Sequence, residues 1–185
     1  EAEGEASALA AEAVALERLV ARETAEEEIL LDRIRVTPGY EAAVGAALAD
    51  DLRMAEVEPQ DATGWVLMDG PAAEAPLPEG ARPLSAFVTA PAVLDRRMAQ
   101  VGLVEAEAGP RLQSSLRPGQ RLVSTAGDLW RWDGMRSGAA DAPSAAAIRL
   151  QQMNRLEVLR RRHELRQGPG QGKGEIQLHC VHFEI

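Results

Sequence analysis

The stretch from Arg117 to Gly138, RPGQRLVSTAGDLWRWDGMRSG, decides how the rest of the chain is read. Leu122 to Thr125 is a short β-prone run, Ala126-Gly127-Asp128 a compact turn, and Leu129 to Asp133 a second strand, so the segment reads as a tight hairpin. Side chains alternate along a strand, which puts Trp130 and Trp132 on one face and Leu129, Arg131 and Asp133 on the other. Gly134 and Gly138 follow, where a bare backbone can bend sharply or approach another backbone closely. Two of the three tryptophans therefore share one small surface, which suits a contact surface better than a reaction site. Core packing and a contact between chains both remain open for that face; the glycines favour the second.

Downstream, Asp141-Ala142-Pro143-Ser144 supplies capping chemistry for a helix whose apolar stripe runs through Ile148, Leu150, Met153, Leu156, Leu159 and Leu165. Upstream, strands over Leu84–Thr89 and Val101–Glu105 alternate with helices over Pro91–Gln100 and near Pro110–Leu116. Pro71 to Arg82, with three prolines and a glycine, reads as a joint. Before it, Thr37-Pro38 gives an N-cap and first-turn pair. Tyr40, Ala43, Val44, Ala47 and Leu48 then line one buried helical face. Arg53–Glu58 and Gly64–Met68 read as short strands. At the start, Leu9, Leu16, Leu19, Leu30 and Ile34 recur at near-heptad spacing, as in a long exposed helix of coiled-coil type.

The fold class is thus α/β: two small mixed lobes flanked by helical arms that pair antiparallel, because neither stripe is complete alone. The expected division is an arm over 1–35, a first lobe over 36–70, a strap over 71–82, a second lobe over 83–139, an arm over 140–166, and a non-native or disordered tail over 167–185. The charges of the arms are complementary. Residues 1–33 carry ten acidic side chains against three arginines, and residues 149–166 carry six arginines against Glu157 and Glu164. The net charge of −9 argues against nonspecific nucleic-acid binding by the chain as a whole. No apolar run reaches membrane-spanning length, no signal-peptide pattern is present, and Cys180 alone builds no disulfide framework, so a cytoplasmic protein is expected. The first residue is Glu1 rather than Met, which suggests a fragment.

In order and spacing, several segments resemble the hinge of structural-maintenance-of-chromosomes (SMC) proteins. Val36-Thr37-Pro38-Gly39-Tyr40-Glu41-Ala42-Ala43-Val44-Gly45-Ala46-Ala47-Leu48 resembles that family's opening V-x-P-x-Y-E-x-A motif, which leads into AALG; here Ala49 stands for the usual glycine. Arg121 to Asp128 (RLVSTAGD) resembles its RVVTLDGD strand and turn. LWRWDG, APSAAA and RLQQMNRL resemble the bacterial branch with a shortened hinge. The likeness covers about residues 5–166. One departure concerns the doubled glycines common after the turn: here they are Gly134 and Gly138, separated by Met135, Arg136 and Ser137.

The resemblance implies a homodimer joined through both lobes, with Trp130, Trp132, Gly134 and Gly138 at the contact. It also implies weak, sequence-indifferent DNA contact through Arg149, Arg155, Arg160, Arg161 and Arg162, whose guanidinium forks suit phosphate. The same cluster also reads as a solvated face paired with glutamates. In the parent protein the family implies ATPase heads at the far end of the coil and accessory condensin-type subunits bound elsewhere. No membrane partner is expected, and no cofactor or metal in this fragment. His163 stands alone, Cys180 with His179 and His182 lies in the tail, and GPGQGKG lacks the phosphate-loop pattern. The rival reading is a small α/β ligand-binding or enzymatic domain with helical extensions, which a deep pocket with convergent polar groups would support.

Overall fold

The computed structural model describes residues 11, 14, 29–60, 63–70, 75–140 and 144–167. Most of the first arm, the cap at Asp141 to Pro143, the first four residues of the proline-rich strap and the tail from residue 168 lie outside the described residues.

The stripe expected to run unbroken to Ile34 is interrupted. Ile29 is extended and bridges Ala55. Helix α1 is only Leu30–Arg33. The Leu30 N–H donates to the Met54 carbonyl at 2.9 Å, a bond that a helix arriving from upstream would make to its own previous turn. Leu30, Leu31 and Ile34 sink into the main core instead of lining a seam. The strand β1 (Arg35–Val36) follows.

Thr37 does not cap the next helix. Its carbonyl accepts the Tyr40 N–H at 3.1 Å, closing a turn through Gly39 at φ +97°. Helix α2 begins at Glu41 and runs to Leu48. The Glu41 carboxylate reaches back to the Gly39 N–H at 2.9 Å, where negative charge suits a helix N-terminus. Ala43, Val44, Ala47 and Leu48 are buried, as their spacing requires, while Tyr40 stacks on Phe87 with ring centroids 4.1 Å apart. A 3₁₀ turn over Ala49–Arg53 comes next. The strands expected around Arg53–Glu58 and Gly64–Met68 reduce to the bridges Ile29–Ala55 and Glu56–Trp65.

Among the described residues, seven short strands make two sheets. β1 pairs antiparallel with β3 (Val88–Thr89). The larger sheet has the order β2 (Arg82–Pro83), β4 (Val101–Leu103), β5 (Arg121–Val123), β6 (Leu129–Arg131), β7 (Arg136–Ser137). Its pairs are antiparallel except β4 with β5, which run parallel. That parallel step carries the chain across through α4 (Gly109–Leu112) and a 3₁₀ turn over Gln113–Ser115. The strand expected over Leu84–Thr89 is a 3₁₀ turn, Leu84–Phe87, running into β3. The helix expected from Pro91 is a 3₁₀ turn and then α3 (Asp95–Met98).

The inner strands β4, β5 and β6 bury residues on both faces of the larger sheet. Val101, Leu103, Val123 and Leu129 join the main core with α1, α2 and the long helix α5 (Ala145–Gln167). Leu122, Trp130 and Val104 form a second cluster with Ala108, Leu112 and Leu116 around α4. A β-carbon on Gly109 would lie 2.5 Å from the Trp130 ring, so the helix can settle on the indole only with glycine there.

Candidate self-association surface and basic helix

The hairpin differs from the expected one in its last element. The turn Ala126-Gly127-Asp128 is as read: Ser124 and Asp128 close it, with Ser124 N–H to Asp128 O at 3.0 Å and Gly127 N–H to Ser124 O at 3.1 Å. Asp128 does more than turn the chain. Its Oδ2 accepts the Ser124 hydroxyl at 2.5 Å and its Oδ1 accepts the Ala139 N–H at 2.8 Å, tying the turn to the chain just after β7. These hydrogen bonds, Ser124 first, hold its carboxyl below the ordinary 3.8.

β6 stops at Arg131, and Trp132-Asp133-Gly134 turns the chain into β7. The two tryptophans therefore part company. Trp130 is 7% exposed and belongs to the second cluster, whereas Trp132 is 47% exposed beside Met135 at 44%. Gly134 takes φ +90° with open space around its α-carbon, so the turn itself requires the glycine. Gly138 helps line a cup of about 230 Å³ with Ala42, Ala46, Ala126, Met135 and Ala147, next to the terminal strand β7.

Sequence reasoning missed Gln113, which is buried and donates to the carbonyls of Arg131 at 2.8 Å and Met135 at 3.2 Å. Its Oε1 accepts from the Arg136 guanidinium, so one amide fixes both strands of the β6–β7 hairpin. Gln120 was missed too: it is buried and donates to the Pro76 carbonyl at 3.0 Å, holding the end of the strap. A lone glutamine gives no periodic signal that would mark it.

The arginine cluster on α5 divides. Arg149 is 4% exposed and meets Asp32 at 2.7 Å, so it is removed from any phosphate-facing set. Arg155, Arg160, Arg161 and Arg162 are exposed, and Arg161 pairs with Glu157 one turn back. Asn154 donates to the Val36 carbonyl at 3.0 Å and to Glu41 at 2.5 Å, anchoring α5 on its other flank. A groove of about 430 Å³ lies between α5 and the β1–β3 pair. Its cations are already engaged, Arg161 by Glu157 and Arg35 by the Asp32 and Ile34 carbonyls. The groove's lining is mixed, with Thr37, Ser85, Thr89 and Asn154 beside Val36, Pro38, Phe87 and Val158.

No protein-family model matches the chain. Over 165 residues it is 56% identical to the chromosome partition protein Smc of Cereibacter sphaeroides, a match covering 89% of this chain and 14% of that protein. The chain belongs to the SMC family. Smc of Rhodopseudomonas palustris is 46% identical over 127 residues, 69% of this chain and 11% of that protein. The SMC chain thus spans about a seventh or less of the curated relatives it matches. Its fold is that of the Geobacillus stearothermophilus SMC hinge domain, solved as an asymmetric dimer: TM-score 0.67 at 15% identity, covering 89% of this chain and 84% of that one. The chain thus joins membership of the SMC family to the fold of an SMC hinge domain, with the mixed α/β architecture expected of it. Within the SMC hinge, the V-x-P-x-Y-E segment is the turn and start of α2, and RLVSTAGD is β5 with its turn.

Proposed function

We propose that this hinge joins two copies of the parent protein and that α5 offers guanidiniums to DNA beside the joint. One observation carries the first part: Trp132 and Met135 stand exposed on the hairpin that ends the larger sheet, next to a cup lined by small residues. Large apolar side chains exposed together mark contact sites. An isologous contact would use the same patch on both copies and close the pair. The dimeric Geobacillus hinge supports this reading through its fold. Gly138 lines the cup beside this patch.

Replacing Trp132 and Met135 together by serine should give a folded monomer in sedimentation equilibrium, with an unchanged circular dichroism spectrum. A dimer that survives these changes places the contact elsewhere.

DNA contact rests on Arg155, Arg160, Arg161 and Arg162, four exposed guanidiniums on one helix. In the whole protein this hinge would serve DNA entrapment for chromosome condensation and segregation. ATPase heads and accessory subunits would act from outside this segment, in a nucleoid-associated cytoplasmic protein. Among the described residues, no helix is long and apolar enough to cross a membrane.

A further inference from the structure

The hairpin that displays Trp132 and Met135 has little of its own to hold its shape. β7 is two residues long, and a short two-stranded hairpin is marginal in water. Its turn is closed by the Arg131 N–H on the Met135 carbonyl at 2.9 Å and the Gly134 N–H on the Arg131 carbonyl at 3.2 Å. The Arg131–Asp133 ion pair beside the turn stands partly in water and contributes little.

Gln113 reaches this hairpin from the 3₁₀ turn after α4. Its Nε2 donates to the two carbonyls that close the turn, Arg131 at 2.8 Å and Met135 at 3.2 Å, using the second lone pair of each. Its Oε1 accepts from Arg136 Nε in β7. The held carbonyls bracket Trp132, Asp133 and Gly134, so one amide spans the base of the loop that carries both apolar side chains. Glutamate at this position would only accept, leucine would do neither, and asparagine is a methylene shorter.

We propose that Gln113 is the positioning residue of the self-association surface, setting the affinity of the pair without touching the partner. This rests on the reading that two copies meet through Trp132 and Met135. Gln113 is 7% exposed in the single chain, so its effect on a partner passes through the hairpin. Its removal disturbs the hairpin more than the fold: both carbonyls keep their backbone N–H, and Arg136 is exposed and turns to water. A loop left loose in the free chain must be ordered when the copies meet, and a symmetric pair bears that cost twice.

The test uses the full chain. Gln113→Leu should weaken the dimer at least about tenfold in sedimentation equilibrium, as expected when two side chains on each copy must be ordered on binding. Amide hydrogen exchange, measured at a dilution where parent and variant are both monomeric, separates positioning from general loosening. Exchange at Arg131 and Gly134 should quicken, while Val104 and Arg121, bonded to the Val123 and Gln100 carbonyls, keep the parent rates. If Gln113→Leu does not fold, Gln113→Glu gives the same readout, because it keeps the shape and the Arg136 contact but loses both donors. Unchanged affinity, or quickening spread evenly over the four amides, overturns the proposal. A monomeric parent, or a dimer that survives Trp132→Ser with Met135→Ser, instead overturns the contact reading and this inference with it.

Discussion

Gly45 of α2 faces Ala147 of α5 so closely that a β-carbon on the glycine would lie 2.5 Å from the alanine β-carbon and 2.6 Å from Ser144 Oγ. The contact joins α2 to the helix that leaves the body, and only hydrogen fits between them.

Gly45→Ala therefore sets two effects against each other. Alanine in a helix gains up to about 1 kcal/mol over glycine. Overpacking against backbone-fixed atoms costs about 1–3 kcal/mol, which outweighs that gain. The variant should unfold at lower urea concentration, and adding Ala147→Gly should recover part of the loss. Unchanged stability in Gly45→Ala would show that α2 and α5 can separate freely.

Ala49 ends α2 at φ +38°, ψ −116°, a backbone region that side chains disfavour. Left-handed backbone costs an L-residue roughly 1–2 kcal/mol, while glycine gives back about 0.5–1 kcal/mol through its freer unfolded chain. Ala49→Gly should stabilise the hinge by up to about 1 kcal/mol, seen as a higher denaturation midpoint. A lower midpoint would mean that the alanine methyl is held by packing that outweighs the strain.

Asp128 links stability to pH. Its folded carboxyl titrates below 3.8, so the unfolded chain takes up the proton more readily. Its contribution is full above the unfolded value and is lost as pH falls through the lowered folded value. At neutral pH Asp128→Asn should be less stable than the parent by about 1–2 kcal/mol. That gap should narrow in urea titrations carried below pH 3.8. A gap independent of pH would sink the assignment.

Replacing Arg160, Arg161 and Arg162 by glutamate should abolish DNA binding in fluorescence anisotropy and leave the helical content intact. Binding by the parent should weaken steeply with salt and ignore sequence, as phosphate contacts do. Equal binding in the triple variant would move the contact off α5.

What the sequence made legible was periodic or chemically distinct. The α2 face came from its spacing, and Ala126-Gly127-Asp128 from its turn residues. The strand expected over Leu122 to Thr125 lies instead at Arg121 to Val123, and its side chains divide between two cores, Leu122 to one and Val123 to the other. That division, and not an outer contact, also explains Trp130. The two-residue strands β1, β2, β3 and β7 are too short to show alternation. Arg149 looked like one more member of a basic cluster because its partner, Asp32, lies 117 positions away. Composition sees the charge and not the distance.

The chain enters and leaves the body at neighbouring points, with Asp32 and Arg149 in contact across 117 positions. These polar contacts advance in the same direction along both segments, Asp32 with Arg149 and then Val36 and Glu41 with Asn154. A pull on Ile29 against Gln167 therefore shears them together instead of opening them one by one, and the pairings of the five-stranded sheet are separate from the bonds that carry it.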